Sequence, residues 1–300
     1  MTEKLQRYGV YAAVVMLLAF SAVFTDHFLT VSNLRTQLVQ VAPVLIVALG
    51  MALVIGTEGV DLSVGSVMAL AAAVVPLYLG FGWWQAVLMA LVAGAAVGAV
   101  NGTLVAVVGL QPIVATLALL VAGRGIALVI ADGRLKQVRN PDFLALGGPV
   151  FVILAAAVLA VVVGLVVWRT TYGRQLVAIG GNRAASTLAG LPVRRVLVAT
   201  YVVSGLFAAL AGVLATARLE ASDPSSIGNL MELSAITAVV VGGTPLSGGR
   251  VRVLGTVAGA LLIQLLRATL IKHNLPDSGA QMVQAAIIVV AVYTARGRSR

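Results

Sequence analysis

The chain has 300 residues, 60% of them hydrophobic and only 10% charged, with a mean hydropathy of +1.06. A soluble globular domain carries roughly 45–50% apolar and about 25% charged residues, so that class is excluded. The net charge of +10 reports membrane topology before nucleic-acid affinity in so apolar a chain, and zero cysteines remove disulfides and thiolate chemistry.

About 180 apolar residues, at ~20 per bilayer-crossing helix, supply about nine spans with room for one more. Apolar runs follow in chain order at residues 8–24, 38–56, 64–80, 84–107, 113–131, 150–168, 196–217, 233–242, 253–271 and 280–293. The first follows Lys4 and Arg7 and lacks a cleavage site before a polar mature domain, so it reads as a membrane helix rather than a signal peptide. The eighth is too short to span unless it extends into Leu230 and Met231; otherwise it is re-entrant.

Lys and Arg are retained on the cytoplasmic side of short connections. An inside N-terminus places Arg169, Arg174, Arg183, Arg194 and Arg195 inside, with Arg250 and Arg252 and with Arg296, Arg298 and Arg300. It leaves Glu220, Asp223 and Glu232 outside. Arg134, Lys136 and Arg139 disagree, in part balanced by Asp132 and Asp142, and are outvoted. The expectation is an all-α polytopic membrane protein of about ten transmembrane helices with both termini cytoplasmic, a single transmembrane domain over residues 1–300.

Small residues recur every four positions at Gly94, Gly98 and Gly102, at Gly205 and Ala209 beside Ala208 and Gly212, and at Gly255 and Gly259. Lipid provides no hydrophobic drive between helices, so such stripes predict close backbone packing. The segments 56–65 and 243–249 share a Gly-Thr, Leu-Ser, Gly order after an apolar run, a weak sign of internal repetition.

Glu58 and Asp61 lie in a Gly-rich stretch between two spans. A carboxylate near hydrocarbon is expensive and is a functional candidate by default; the plainer alternatives are a hydrated loop at the cytoplasmic surface or a cap, with Asp61 or Ser63 accepting from the first amides of the next helix. Asn101, Gln111 and Thr116 offer neutral donors and acceptors suited to a polyhydroxyl solute, although Asn101-Gly102 is equally a turn signal and Pro112 a helix start. The candidate substrate-pathway residues are therefore Asp61, Ser63, Asn101, Gln111 and Thr116. Arg124, deep in an apolar run, calls for a carboxylate or carbonyl partner and reads as structural rather than as a pore ligand.

The segment 173–196 is cytoplasmic by charge and predicts a short helix from Asn182, an N-cap type residue, through Ala184, Ala185 and Leu188 to Gly190. Such a helix suits docking into another protein's groove or lying on lipid headgroups, and the residues favour neither. The chain has no Gly-x-x-x-x-Gly-Lys-Ser/Thr phosphate loop, no His-Glu-x-x-His, no Gly-x-Ser-x-Gly and no carboxylate cluster inside a span. An ATPase, an intramembrane enzyme and a proton-coupled carrier are all disfavoured, as is a metal site.

The run Gly56 to Ser66 resembles the Gly-Gly-Ile-Asp-Leu-Ser-Val-Gly motif of the permease subunits of bacterial ribose-type sugar ABC importers. Asn101 to Leu104, Gln111 to Leu117, Gly123-Arg124-Gly125, Tyr172-Gly173-Arg174, Ala178 to Asn182, Ser204-Gly205-Leu206, Val240 to Thr244 and Ser247 to Arg250 match further family segments in order. The galactofuranose branch is similar through Gln111 to Thr116, Val121 to Gly125 and Asn140-Pro141-Asp142. Glu58 stands where the family usually has Gly, and Ala184 where many relatives have Glu.

The resemblance implies a vitamin-B12-permease-like (type II) arrangement in the bacterial inner membrane. It implies two permease chains, identical or paralogous, around the path, and a periplasmic or lipid-anchored sugar-binding protein. A cytoplasmic ATP-binding subunit would hydrolyse ATP with Mg, this chain holding no cofactor and no nucleic acid. Asn182, Ala184, Ala185, Leu188 and Gly190 would transmit that motion, and the cargo would be a pentose or a galactofuranose-like monosaccharide. The alternative from the residues is a stand-alone secondary carrier or channel for a small polar solute.

Overall fold

The computed structural model describes residues 2–276, 278–279, 281–283, 285–287 and 289, with the side chains of residues 2–8 left undescribed. Long apolar runs become helices because only a helix satisfies its own backbone in lipid. In chain order these are α1 (Thr2–Phe24), α2 (Val31–Gly56), α3 (Val64–Tyr78), α4 (Trp83–Thr103, continued by a π-helical turn Leu104–Val108) and α5 (Pro112–Ile130). After strand β1 (Lys136–Gln137) come α6 (Pro141–Ala145), α7 (Pro149–Arg169), α8 (Thr171–Gly181), α9 (Arg183–Leu188) and α10 (Val193–Leu219). Strand β2 (Ala221–Ser222), α11 (Met231–Val241) and α12 (Val253–Lys272) complete the described elements.

Among the described residues, six helices are long and apolar enough to cross a membrane: α2, α4 with its π turn, α5, α7, α10 and α12. Residues 9–24, α3 and α11 are shorter apolar helices. Half of the tenth expected span, 280–293, and the arginines at 296, 298 and 300 lie outside the described residues; 281–283, 285–287 and 289 are helical.

The centre is the group α2, α3, α4 and α10. The two small-residue stripes expected to pack do so against each other: Gly94 meets Gly205 and Ala209, Gly98 meets Tyr201 and Val202, and Gly102 meets Val198. Further out, Gly259 meets Ala238, and Gly242 meets Gly255, seating α11 on α12.

Connections expected to share a membrane side meet. Lys136 pairs with Ser222 and Gln137 with Ala221 in an antiparallel ladder. Ser21 and Thr269 share a hydrogen bond of 2.8 Å near the ends of α1 and α12. On the opposite side the Gly249 amide donates to the Gly56 carbonyl at 3.0 Å, joining the two segments that resemble a repeat.

One expectation needs correction and one open alternative is narrowed. The segment 173–196 holds two helices rather than one, since α8 precedes α9; Thr170 caps α8 by accepting from the Gly173 amide at 3.2 Å. The short eighth run is not simply an under-length span: α11 is preceded by the irregular stretch 223–230, whose Ile227 and Gly228 are buried among helices. Such backbone is tolerated at depth only where protein satisfies it.

Candidate functional site

Past α2 the chain reverses. Thr57 donates to the Val54 carbonyl at 2.7 Å, and the Gly59 amide donates to the same carbonyl at 3.1 Å. Between them Glu58 takes a left-handed φ of +66°. Asp61 then collects three donors: the Ser63 amide (3.0 Å) and hydroxyl (2.6 Å) on one oxygen, and the Ser204 hydroxyl (2.8 Å) on the other. Asn101 donates to the Ser63 hydroxyl at 2.8 Å. Asp61 and Ser204 are each 1% exposed, and Ser63 and Asn101 not at all.

The structure thus brings Asp61, Ser63 and Asn101 into one closed cluster. Thr116, equally buried, is tied to the same segment through the Val60 carbonyl at 3.3 Å while also bonding the Pro112 carbonyl at 2.9 Å. Gln111 stands apart, exposed at the start of α5 without a side-chain cap bond. Ser204 was missed as a partner; its only signal was the motif Ser204-Gly205-Leu206 in an apolar run.

Depth follows from α10. Ser204 lies eleven residues after Val193, about 16 Å along the axis, and fifteen before Leu219, about 22 Å. Asp61 is therefore inside the bundle near its mid-level, and the reading of it as a carboxylate in a hydrated surface loop is corrected, while Glu58 is exposed. The fifteen-residue α3 starts there and runs toward the face that carries the β ladder.

From that face the stretch 223–230 descends along α3. Ser222 donates to the Ala72 carbonyl at 2.6 Å, whereas Gly228 packs on Gly65 and Met68, about 10 Å lower. There α11 begins and runs the other way. Two short helices thus have their starts inside the bundle, where unpaired amides concentrate partial positive charge. Asp61 lies beside one start, and Glu232 sits in the first turn of the other, its Oε2 next to Gly65. Arg124 of α5 fastens both, donating to the Pro224 and Ile227 carbonyls at 2.7 Å each and to the Gly65 carbonyl at 3.3 Å. The partner required for Arg124 consists of carbonyls on two separate segments.

At the other end, Asn182 caps α9 as expected, its side chain accepting from the Ala185 amide at 2.9 Å. Ala184, Ala185 and Gly190 are exposed, and Leu188 is 90% exposed. The helix is nonetheless braced: Gly180, at the end of α8, lies directly on the backbone of Gly56 and Gly249.

Two cavities matter. One of about 1320 Å³ between α1, α2, α7 and α12 is walled mainly by apolar groups such as Leu45, Val161, Trp168 and Leu261, chemistry for an acyl chain rather than a polar solute. The other, about 260 Å³, lies where residues 57–59 meet the π turn, α9 and α10, and includes Thr57, Glu58, Arg183 and Tyr201. Among the described residues no three His, Asp or Glu side chains group so as to hold a metal ion.

A bundle of apolar helices, two of them begun inside it, with a capped helix projecting from one end, defines a polytopic transport protein. Residues 33–292 match the family described as branched-chain amino acid transport system / permease component, and the chain belongs to that family. It is a multi-pass inner-membrane protein. The chain is 37% identical to the fructose import permease protein of Bifidobacterium longum, covering 93% of this chain and 84% of the relative. It is 39% identical to the galactofuranose transporter permease protein of Escherichia coli (83% and 75% covered) and 37% identical to the ribose import permease protein of the same organism (93% and 90%). No solved structure matches. The resemblance carried by the motifs from Gly56 to Arg250 is shown by these relatives.

Proposed function

We propose that this chain is the membrane-spanning subunit of an ATP-driven importer for a monosaccharide, a pentose or a galactofuranose-like sugar. Its relatives named for fructose, galactofuranose and ribose all carry sugars, which weighs against the amino-acid wording of the family description. A cytoplasmic ATP-binding subunit supplies the energy by hydrolysing ATP with Mg, and a periplasmic or lipid-anchored receptor delivers the sugar. Two permease chains, identical or paralogous, surround the path. Ten spans with both termini inside, in a vitamin-B12-permease-like (type II) arrangement, fit the way same-side connections pair.

The observation that carries this reading is α9. A capped helix with Leu188 90% exposed and its base braced on Gly56 and Gly249 is built to receive force rather than to lie loosely on headgroups. ATP-driven closure of the partner would push α9, and the brace at Gly180 would pass the displacement to the inner end of α2 and the segment leading to Asp61. In this account Asp61, Ser63 and Asn101 hold the start of α3 through their mutual bonds, and Thr116 ties α5 to the same segment through the Val60 carbonyl. Gln111, exposed at the start of α5, faces the path, whereas Arg124, partly buried and bonded to three carbonyls, is structural.

The test is reconstitution. Sugar uptake into liposomes is expected only when the ATP-binding subunit, receptor and ATP are all present. Uptake by the chain alone would establish instead a stand-alone carrier, a reading supported by the two helix starts that meet inside the bundle.

A further inference from the structure

The 260 Å³ cavity is walled by Thr57, Glu58 and Gly59 from the turn after α2, by Val105 of the π turn and Pro112 of α5, by Arg183 at the start of α9, and by Leu197 and Tyr201 of α10. Its polar groups are a hydroxyl, a carboxylate, a guanidinium and a phenol, grouped on a wall otherwise made of aliphatic side chains. Tyr201 is fully buried, yet its hydroxyl has no hydrogen-bond partner among the described residues. A buried hydroxyl left unpaired costs free energy unless something fills the space beside it. Its oxygen lies against Gly59, where an added Cβ would come within 2.7 Å, so only a glycine leaves room for the phenol there.

We infer that this cavity is a monosaccharide site at the inner end of the permease, occupied on the way out, with Glu58, Tyr201 and Arg183 bonding the sugar's hydroxyls. This rests on the sugar-importer reading and extends it to particular residues. The volume holds the equivalent of roughly nine waters, enough for one sugar ring of about a dozen heavy atoms and too small for a disaccharide. Carboxylate and guanidinium together suit vicinal hydroxyls, which both donate and accept. Glu58, the residue that departs from the family's Gly, adds the carboxylate. Arg183 belongs to α9, so the push that moves that helix also rebuilds one wall of the site and releases the sugar.

The test begins with the purified full-length chain in lipid nanodiscs and radiolabelled D-ribose, D-fructose and D-galactose as probes. At least one is expected to bind saturably in the millimolar range, as an exit site requires. Tyr201→Phe should weaken that binding roughly threefold or more and Glu58→Gln roughly tenfold, while Ser225→Ala, far from the cavity, leaves it unchanged. No binding of any of the three, or binding indifferent to both cavity variants, overturns the site. ATP-driven uptake by the wild-type complex, measured in parallel, separates the two claims. Uptake with unaffected variants removes the site and keeps the importer, and binding lost in the variants without ATP-driven uptake does the reverse.

Discussion

Glu58 holds a left-handed backbone conformation, φ +66°, which costs a residue with a Cβ roughly 1–2 kcal/mol and a glycine almost nothing. That cost explains physically why a glycine is usual at this place in the motif. Glu58→Gly is expected to stabilise the protein by about 1 kcal/mol in thermal unfolding, with part of the relief returned to the more flexible unfolded chain. Asp61 behaves in the opposite sense. Asp61→Ala strands the buried hydroxyls of Ser63 and Ser204, each worth about 1–3 kcal/mol when unpaired, so a loss of at least about 2 kcal/mol is expected in the same measurement. Asp223 gives a pH dependence. The Ser225 and Ser226 hydroxyls, with their amides, hold its carboxyl below the ordinary carboxylate range. A depressed pKa contributes stability that is present above the unfolded value and lost as pH falls through the folded one. Amide exchange in the stretch 223–230 is therefore expected to rise only on acidification below the usual carboxylate range, and Ser225→Ala should move that onset to higher pH.

At the scale of elements, packing and projection make separate demands. The α4–α10 contact is backbone on backbone, and a Cβ at Gly98 would come within 2.8 Å of the Val202 Cα. Gly98→Val must push the helices apart, and in lipid no hydrophobic gain compensates. A loss of about 1–3 kcal/mol is expected, read as a lower unfolding temperature in detergent. The projecting α9 touches little, so Leu188→Asp should leave the fold and membrane insertion unchanged while abolishing stimulation of the ATP-binding subunit in the assembled complex. Normal stimulation in that variant would remove α9 from the coupling route. Added bulk at Gly190 has a double effect, because its φ of +76° strains any other residue. Leu188 is the cleaner probe for that reason.

For the molecule as a whole, sidedness is the property most open to test. The chain has no cysteine, so single replacements can be labelled without background. In sealed, oriented vesicles, Ser225→Cys should react with a membrane-impermeant maleimide from outside and Thr187→Cys only from the cytoplasmic face. Labelling of both from one side would dismantle the ten-span topology and the coupling role of α9 together.

Much of this was legible in one dimension. Hydropathy located the long apolar helices and four-residue spacing found the glycine contacts of α4 with α10, because each of these signals is local to a helix. The Asn182 cap was readable for the same reason. The second helix of the segment 173–196 escaped notice because Gly173, Gly180 and Gly181 punctuate its eleven residues like a loop. What only the tertiary structure decided is depth. Asp61 is buried near the middle of the bundle through Ser204, 143 positions away, and the stretch 223–230 can sink beside α3 only because Arg124, a century of residues earlier, receives its carbonyls. An irregular segment carries no hydrophobic period of its own. Where it can lie in a membrane is set by which distant donors and acceptors satisfy it, and those are fixed only when the helices have packed.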